Sequence, residues 1–147
     1  MSSLRQAALK RLARREHSRF ELEEKLSALG TAEEIAAVLD HLEQTGLLSD
    51  ERMTAAYLSS HAARQGTMKL RHTLRSKGIA AELIDAGLAA AGETLPSEEA
   101  RALAVWRRKF AHTPVDAREW AKQARFLESR GFSSDAIRKA LKATDDG

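Results

Sequence analysis

The sequence predicts an all-α fold of three tandem three-helix repeats strung into an elongated, curved molecule, and three observations carry that prediction. The first is a phrase that recurs three times: Leu26, Gly30, Ile35, Leu39, then Leu74, Gly78, Ile84, Leu88, then Leu127, Gly131, Ile137, Leu141. Four-residue spacing is about one helical turn, and Gly ends a helix in a left-handed conformation without a Cβ penalty, so each copy reads as helix, sharp turn, helix. The second is composition: two prolines and 5% aromatics suit helices, because strands favour aromatic and β-branched residues. The third is the spacing of the copies, 48 residues from Gly30 to Gly78 and 53 from Gly78 to Gly131, which fits three small modules at 1–48, 49–96 and 97–147.

The elements follow in order. Ala8, Leu9 and Leu12 mark a first amphipathic helix. Ser18 and Glu21 have the form of a capping box, in which each side chain serves the other's backbone amide. The next helix places Leu22, Leu26 and Leu29 on one face and stops at Gly30. Thr31 and Glu34 open a third helix on Ile35, Val38, Leu39 and Leu42, closed by Gly46. In the second module Ser49 or Asp50 caps a helix through Met53, Ala56 and Tyr57 to Gly66. A helix on Leu70 and Leu74 stops at Gly78, and one on Leu83, Ile84 and Leu88 follows, with Gly87 inside it allowing close packing. Residues 92–97 are the clearest linker. The third module has a helix on Ala100, Leu103 and Phe110, broken at Thr113-Pro114. Asp116 and Glu119 then cap a helix with Trp120, Ala124 and Leu127, Gly131 stops it, and Ser133 caps a final helix on Ile137 and Leu141. Residues 143–147 should fray. The count is nine helices and no strand.

No apolar run approaches the ~20 residues needed to cross a bilayer, and the start carries no signal-peptide core, which points to a cytoplasmic protein without a membrane partner. With no cysteine, disulfides and thiolate metal sites are excluded. The five histidines lack metal-ligand spacing, the glycines fit no phosphate loop or dinucleotide fingerprint, and Ser59, Ser60 and His61 diverge around a helix. No catalytic constellation and no cofactor are predicted.

Charge is the informative property. Basic and acidic residues number 7 and 8 in residues 1–48, 6 and 5 in 49–96, and 11 and 8 in 97–147. Residues 52 to 81 hold six basic side chains and no acid. Such asymmetry predicts an anionic partner, phosphate or an acidic protein surface. The candidate contact residues are Arg14 and Arg15 in the first module, and Arg64, Lys69, Arg71, Arg75 and Lys77 in the second. In the third they are Arg118, Lys122 and Arg125 at i, i+4, i+7, and Arg138 and Lys142 one turn apart. A solvated face with local ion pairs to Glu119 and Glu128 accounts equally well for the third-module stripe. Reversing Arg71, Arg75 and Lys77 to Glu is expected to impair activity without unfolding, whereas a passive helical adaptor would tolerate it. The aromatics read as core, with Trp106 the one candidate for partial exposure at a contact.

Helix–turn–helix units raise the alternative of a direct DNA-binding protein. Residues 35–44 and 80–91, in the recognition position, argue against it: Gln44 is the only side chain among them suited to base edges.

Longer stretches carry a resemblance. Ala13-Arg14-Arg15-Glu16-His17-Ser18, Glu21-Leu22, Lys25-Leu26, Leu39 to Leu42 and Gly46-Leu47-Leu48-Ser49-Asp50-Glu51-Arg52 are similar to the bacterial RecX family of recombination regulators. So are Leu74-Arg75-Ser76-Lys77-Gly78-Ile79 and Arg125-Phe126-Leu127-Glu128-Ser129-Arg130-Gly131-Phe132-Ser133, in the family's order and across nearly the whole chain. Two departures stand out: the turn after Gly30 is one residue shorter than its sisters, and Met53 stands where the family often has Phe. The resemblance implies a regulator that binds RecA and RecA filaments on single-stranded DNA, and the protein is expected to be a monomer. It also implies suppression of ATP hydrolysis, strand exchange and co-protease action, and so modulation of DNA repair, recombination and the SOS response. DNA would be touched directly or through RecA.

Overall fold

The computed structural model describes residues 2–146 in their backbone. Among them are nine α-helices and no strand: α1 (Ser2–Leu12), α2 (Arg19–Leu26), α3 (Ala32–Gln44), α4 (Asp50–His61), α5 (Thr67–Ser76), α6 (Ala81–Gly92), α7 (Glu98–Lys109), α8 (Ala117–Ser129) and α9 (Ser134–Ala143). Short 3-10 turns follow α4 (Ala62–Arg64) and α9 (Thr144–Asp146). The fraying expected over 143–147 falls in part on Gly147, outside the described residues.

The caps form as the sequence requires. Ser18 and Thr31 each accept the amide of the residue three on, and Glu21 and Glu34 reach back, so both capping boxes are complete. Asp116 accepts from the Glu119 amide and Ser133 from Ala136. At α4 the capping oxygen belongs to Ser49, which takes the Arg52 amide, while Asp50 takes the Arg19 amide at 2.8 Å. Ser97, read only as linker, caps α7.

The stops are less uniform than the repeated phrase implied. Gly78 and Gly131 sit at φ 78° and 89°, and behind each the next amide returns to the carbonyl five residues earlier, Ile79 to Leu74 and Phe132 to Leu127. Gly30 is not left-handed. The α2 helix ends at Leu26, and Leu29 lies 56% exposed instead of completing the apolar face. Gly30 answers a different need: a Cβ there would come within 2.8 Å of Leu4 Cδ1, so α1 packs where a side chain would stand.

The chain packs as two compact units. One comprises residues 1–56 and 74–87, the other residues 57–73 and 88–147, so α4, α5 and α6 each contribute to both. The first unit centres on Leu4, Ala8, Leu22, Leu26, Ile35, Leu39, Leu42 and Leu48. Phe20 lies against Gly78 there, so closely that any Cβ on Gly78 would collide with its ring and Cβ. The second unit centres on Ala102, Val105, Trp106, Leu127, Phe132, Ile137, Ala140 and Leu141. The inward face of α7 is thus Ala102, Val105 and Trp106, not Ala100, which is exposed; Leu103 and Phe110 only flank the core. Trp106 is 8% exposed, its indole N–H donating to Gln123 Oε1 at 2.7 Å, while Trp120 and Phe20 are the half-exposed aromatics. In the same unit two glycine backbones interlock. The Gly66 amide donates to the Arg130 carbonyl at 2.8 Å, a Cβ on Gly66 would strike the Gly131 carbonyl, and one on Gly131 would strike Lys69.

Candidate functional site

The basic residues singled out from sequence divide into two groups, those engaged by acids of the same chain and those left facing outward. Glu21 organises the first group. Its carboxylate accepts from Arg15 Nη2 at 2.9 Å, from the Ser18 amide at 2.9 Å and from Lys77 Nζ at 3.1 Å. Ser18 Oγ donates to the Lys77 carbonyl at 2.6 Å, which fastens the start of α2 to the residues that end α5. Burial pushes the Glu21 carboxyl up, but the bonds from Arg15, Ser18 and Lys77 outweigh it and hold the group at about 2. Neighbouring His17 is buried and held below its ordinary value, first by desolvation, with its Nδ1 on the Arg15 carbonyl. Arg19 meets Asp40 and Glu43, and Arg52 meets Glu16. Arg138 and Lys139 share Asp135.

The acid-free stretch from 52 to 81 is therefore less open than its sequence implied. Arg52 and Lys77 cross to acids of the first module, Lys69 is half-buried against Gly131, and Arg71 is half-buried. Lys77 holds Glu21, so a charge reversal at Lys77 would set two carboxylates together and is no neutral probe of a surface. Arg64 is exposed and donates to the Ser60 carbonyl, and Arg75 is exposed on α5. Arg14 and Lys142 are exposed as well.

The outward-facing charge is densest on α7 and α8. Arg118, Lys122 and Arg125 are exposed on α8, opposite its buried Gln123 and Leu127, and Arg107, Arg108 and Lys109 are exposed at the end of α7. Among the described residues none of these six, nor Arg130, has a carboxylate within ion-pair distance. Lys109 Nζ and Arg130 Cζ stand 5.5 Å and 4.8 Å from the centre of the Phe126 ring, and Phe110 meets that ring edge-on with centroids 5.4 Å apart. Beside them a cleft of about 240 Å³ is lined by Phe110, Ala111, His112, Glu119, Lys122 and Gln123. Gln123 anchors its floor, accepting from Trp106 and donating to the His112 carbonyl at 3.1 Å. Sequence reasoning found the α8 stripe but passed over Lys109, Phe126 and Arg130. Only the packing of α7 on α8 brings Lys109 to Phe126, and the available signal was the alternation of cations with aromatics across 106–110 and 125–130.

These features define a class: all-α proteins of tandem three-helix domains. Family models for the first, second and third three-helix domains of RecX match residues 5–42, 49–88 and 97–141. Regulatory protein RecX of Leptothrix cholodnii is 47% identical over 144 residues, covering 97% of this chain and 90% of that protein. Regulatory protein RecX of Herbaspirillum seropedicae is 44% identical over 140 residues, covering 95% and 89%. The crystal structure of RecX from Lactobacillus salivarius superposes with a TM-score of 0.80 at 20% identity, over 99% of this chain and 97% of that one. The chain belongs to the RecX family of regulatory proteins. No helix among the described residues is long and apolar enough to cross a membrane.

Proposed function

We propose that this protein is a non-catalytic regulator that binds RecA filaments on single-stranded DNA and slows their ATP hydrolysis, strand exchange and co-protease action. The observation that carries the reading is the band of exposed cations on α7 and α8, which among the described residues has no carboxylate within ion-pair distance, in a chain of this family. A cationic surface suits a nucleoprotein polymer, whose anionic groups repeat at regular intervals. Three tethered modules suit it too, because each contact raises the effective concentration of the next and none need be tight alone.

The test is RecA's DNA-dependent ATPase. Addition of the protein well below one copy per RecA subunit should slow hydrolysis, and the effect should weaken as salt rises past roughly 0.15 M. An unchanged rate at saturating protein overturns the reading. Tight, sequence-selective binding to duplex DNA without RecA would favour a helix-turn-helix DNA reader instead, against the paucity of base-reading side chains in 35–44 and 80–91.

A further inference from the structure

From the start of α5 we infer that its cap is supplied by α7 and the α8–α9 turn, and that residues 65–68, the first turn of α7 and that turn form one polar seam that opens as a unit. All of these residues lie within the second compact unit. A helix begins with amides that have no partner inside it, and the side chain just before it ordinarily takes one. Gly66 stands in that place with no side chain to offer, and the Gly131 carbonyl occupies the space that any Cβ would need. The amides go elsewhere instead. Gly66 donates to the Arg130 carbonyl at 2.8 Å, Met68 to the Gly131 carbonyl at 3.2 Å and Thr67 to the Glu98 carboxylate at 3.3 Å. That carboxylate also takes the Ser133 amide and hydroxyl, each at 3.2 Å, so one side chain of α7 closes the starts of α5 and α9 together.

Three features make the seam weaker than the core beside it. Bare backbone meets bare backbone at Gly66 and Gly131, and Met68 is 65% exposed, so closing the seam buries little apolar surface. Leu58, Ala62 and Leu70, the buried apolar residues on either side, stand outside the cluster that α7, α8 and α9 build. Arg101 holds the Pro96 and Gln65 carbonyls, yet its Nε and the Gln65 Oε1 are buried with no partner among the described residues, a penalty that opening relieves. Polar contact with little apolar cover marks segments that open below the global unfolding free energy. Opening uncovers Lys69, half-buried against Gly131, so the charge that α5 presents is coupled to the closure of the seam.

Native-state hydrogen exchange of the full-length protein, followed amide by amide by NMR through a series of sub-denaturing urea concentrations, tests this. The amides of Gly66, Thr67, Met68 and Ser133 should share one opening free energy and one urea slope. Their protection should lie at least about tenfold below that of Val105 and Ala140 in the core. E98A should speed exchange at all four by roughly tenfold or more and leave Val105 and Ala140 within about twofold. E99A, which removes an exposed acid from the same turn of α7, should leave all four within about twofold.

Protection at Gly66 and Met68 equal to that at Val105 and Ala140, or unlike urea slopes among the four amides, overturns the inference. So does faster exchange in E98A spread equally over α7 and α9, which would make Glu98 a support of the whole core and not the catch of a seam. Should E98A fail to fold, the wild-type urea series alone decides. No recombinase enters the measurement, so its outcome stands apart from the ATPase test.

Discussion

Glu21 illustrates what a single residue's sequence context conveys and what it omits. Its pairing with Ser18 is written in the four residues Ser18 to Glu21, because a capping box is local. Its bond to Lys77, 56 residues away, is not, since nothing near either residue names the other. The linked energetics follow. A carboxyl of ordinary value 4.5 held at about 2 contributes roughly 3 kcal/mol, present in full above pH ~4.5 and lost as the pH falls toward 2. His17, depressed by burial, adds a smaller loss that begins as the pH drops below its unfolded value near 6.5. E21Q should therefore lower the unfolding free energy at pH 7 by about 2–3 kcal/mol and flatten its decline in acid. Urea titrations of both proteins at pH 7 and pH 3 check this, and parallel pH profiles would contradict it.

At the scale of elements, caps were the most legible feature and helix faces the least. Asp116, Ser133 and the two boxes form as read, because a cap depends on four consecutive residues. The face of α7 was misassigned by about a third of a turn. Arg101 is the cause: it buries its stem and sends Nη1 to the Pro96 carbonyl and Nη2 to the Gln65 carbonyl, so a charged residue sits among Ala102 and Val105 on the inward side. Desolvation holds its guanidinium below the usual value, with Glu98 offsetting in part. The caps also differ in reach. Ser97 serves only the Ala100 amide, whereas Ser133 serves Ala136 and also donates to Glu98, whose other oxygen takes the Ser133 and Thr67 amides. S97A should cost about 1 kcal/mol and S133A about 2 kcal/mol, read as shifts of the urea midpoint at constant slope.

For the whole molecule, the threefold repeat was visible in the leucine and glycine spacing, and three three-helix domain models match the chain. How the middle helices pack was not visible, because periodicity says which face is apolar but not what covers it. Met53, Leu74, Ile79 and Ile84 are buried with the first compact unit, and Leu58, Ala62 and Leu70 with the second. A peptide of residues 49–96 should accordingly be mostly unfolded in isolation. Its ellipticity at 222 nm should fall below about a third of the helical value, since short helices without tertiary cover are marginal in water. A cooperative thermal melt of that peptide would contradict the division.

The interlocked pair Gly66 and Gly131 has a consequence for how this chain can change over generations. Each supplies the empty volume into which the other's neighbourhood fits, so a methyl group acquired at one cannot be compensated by trimming the other, which has nothing left to trim. Alanine at either position would therefore require the backbones at this crossing to move apart.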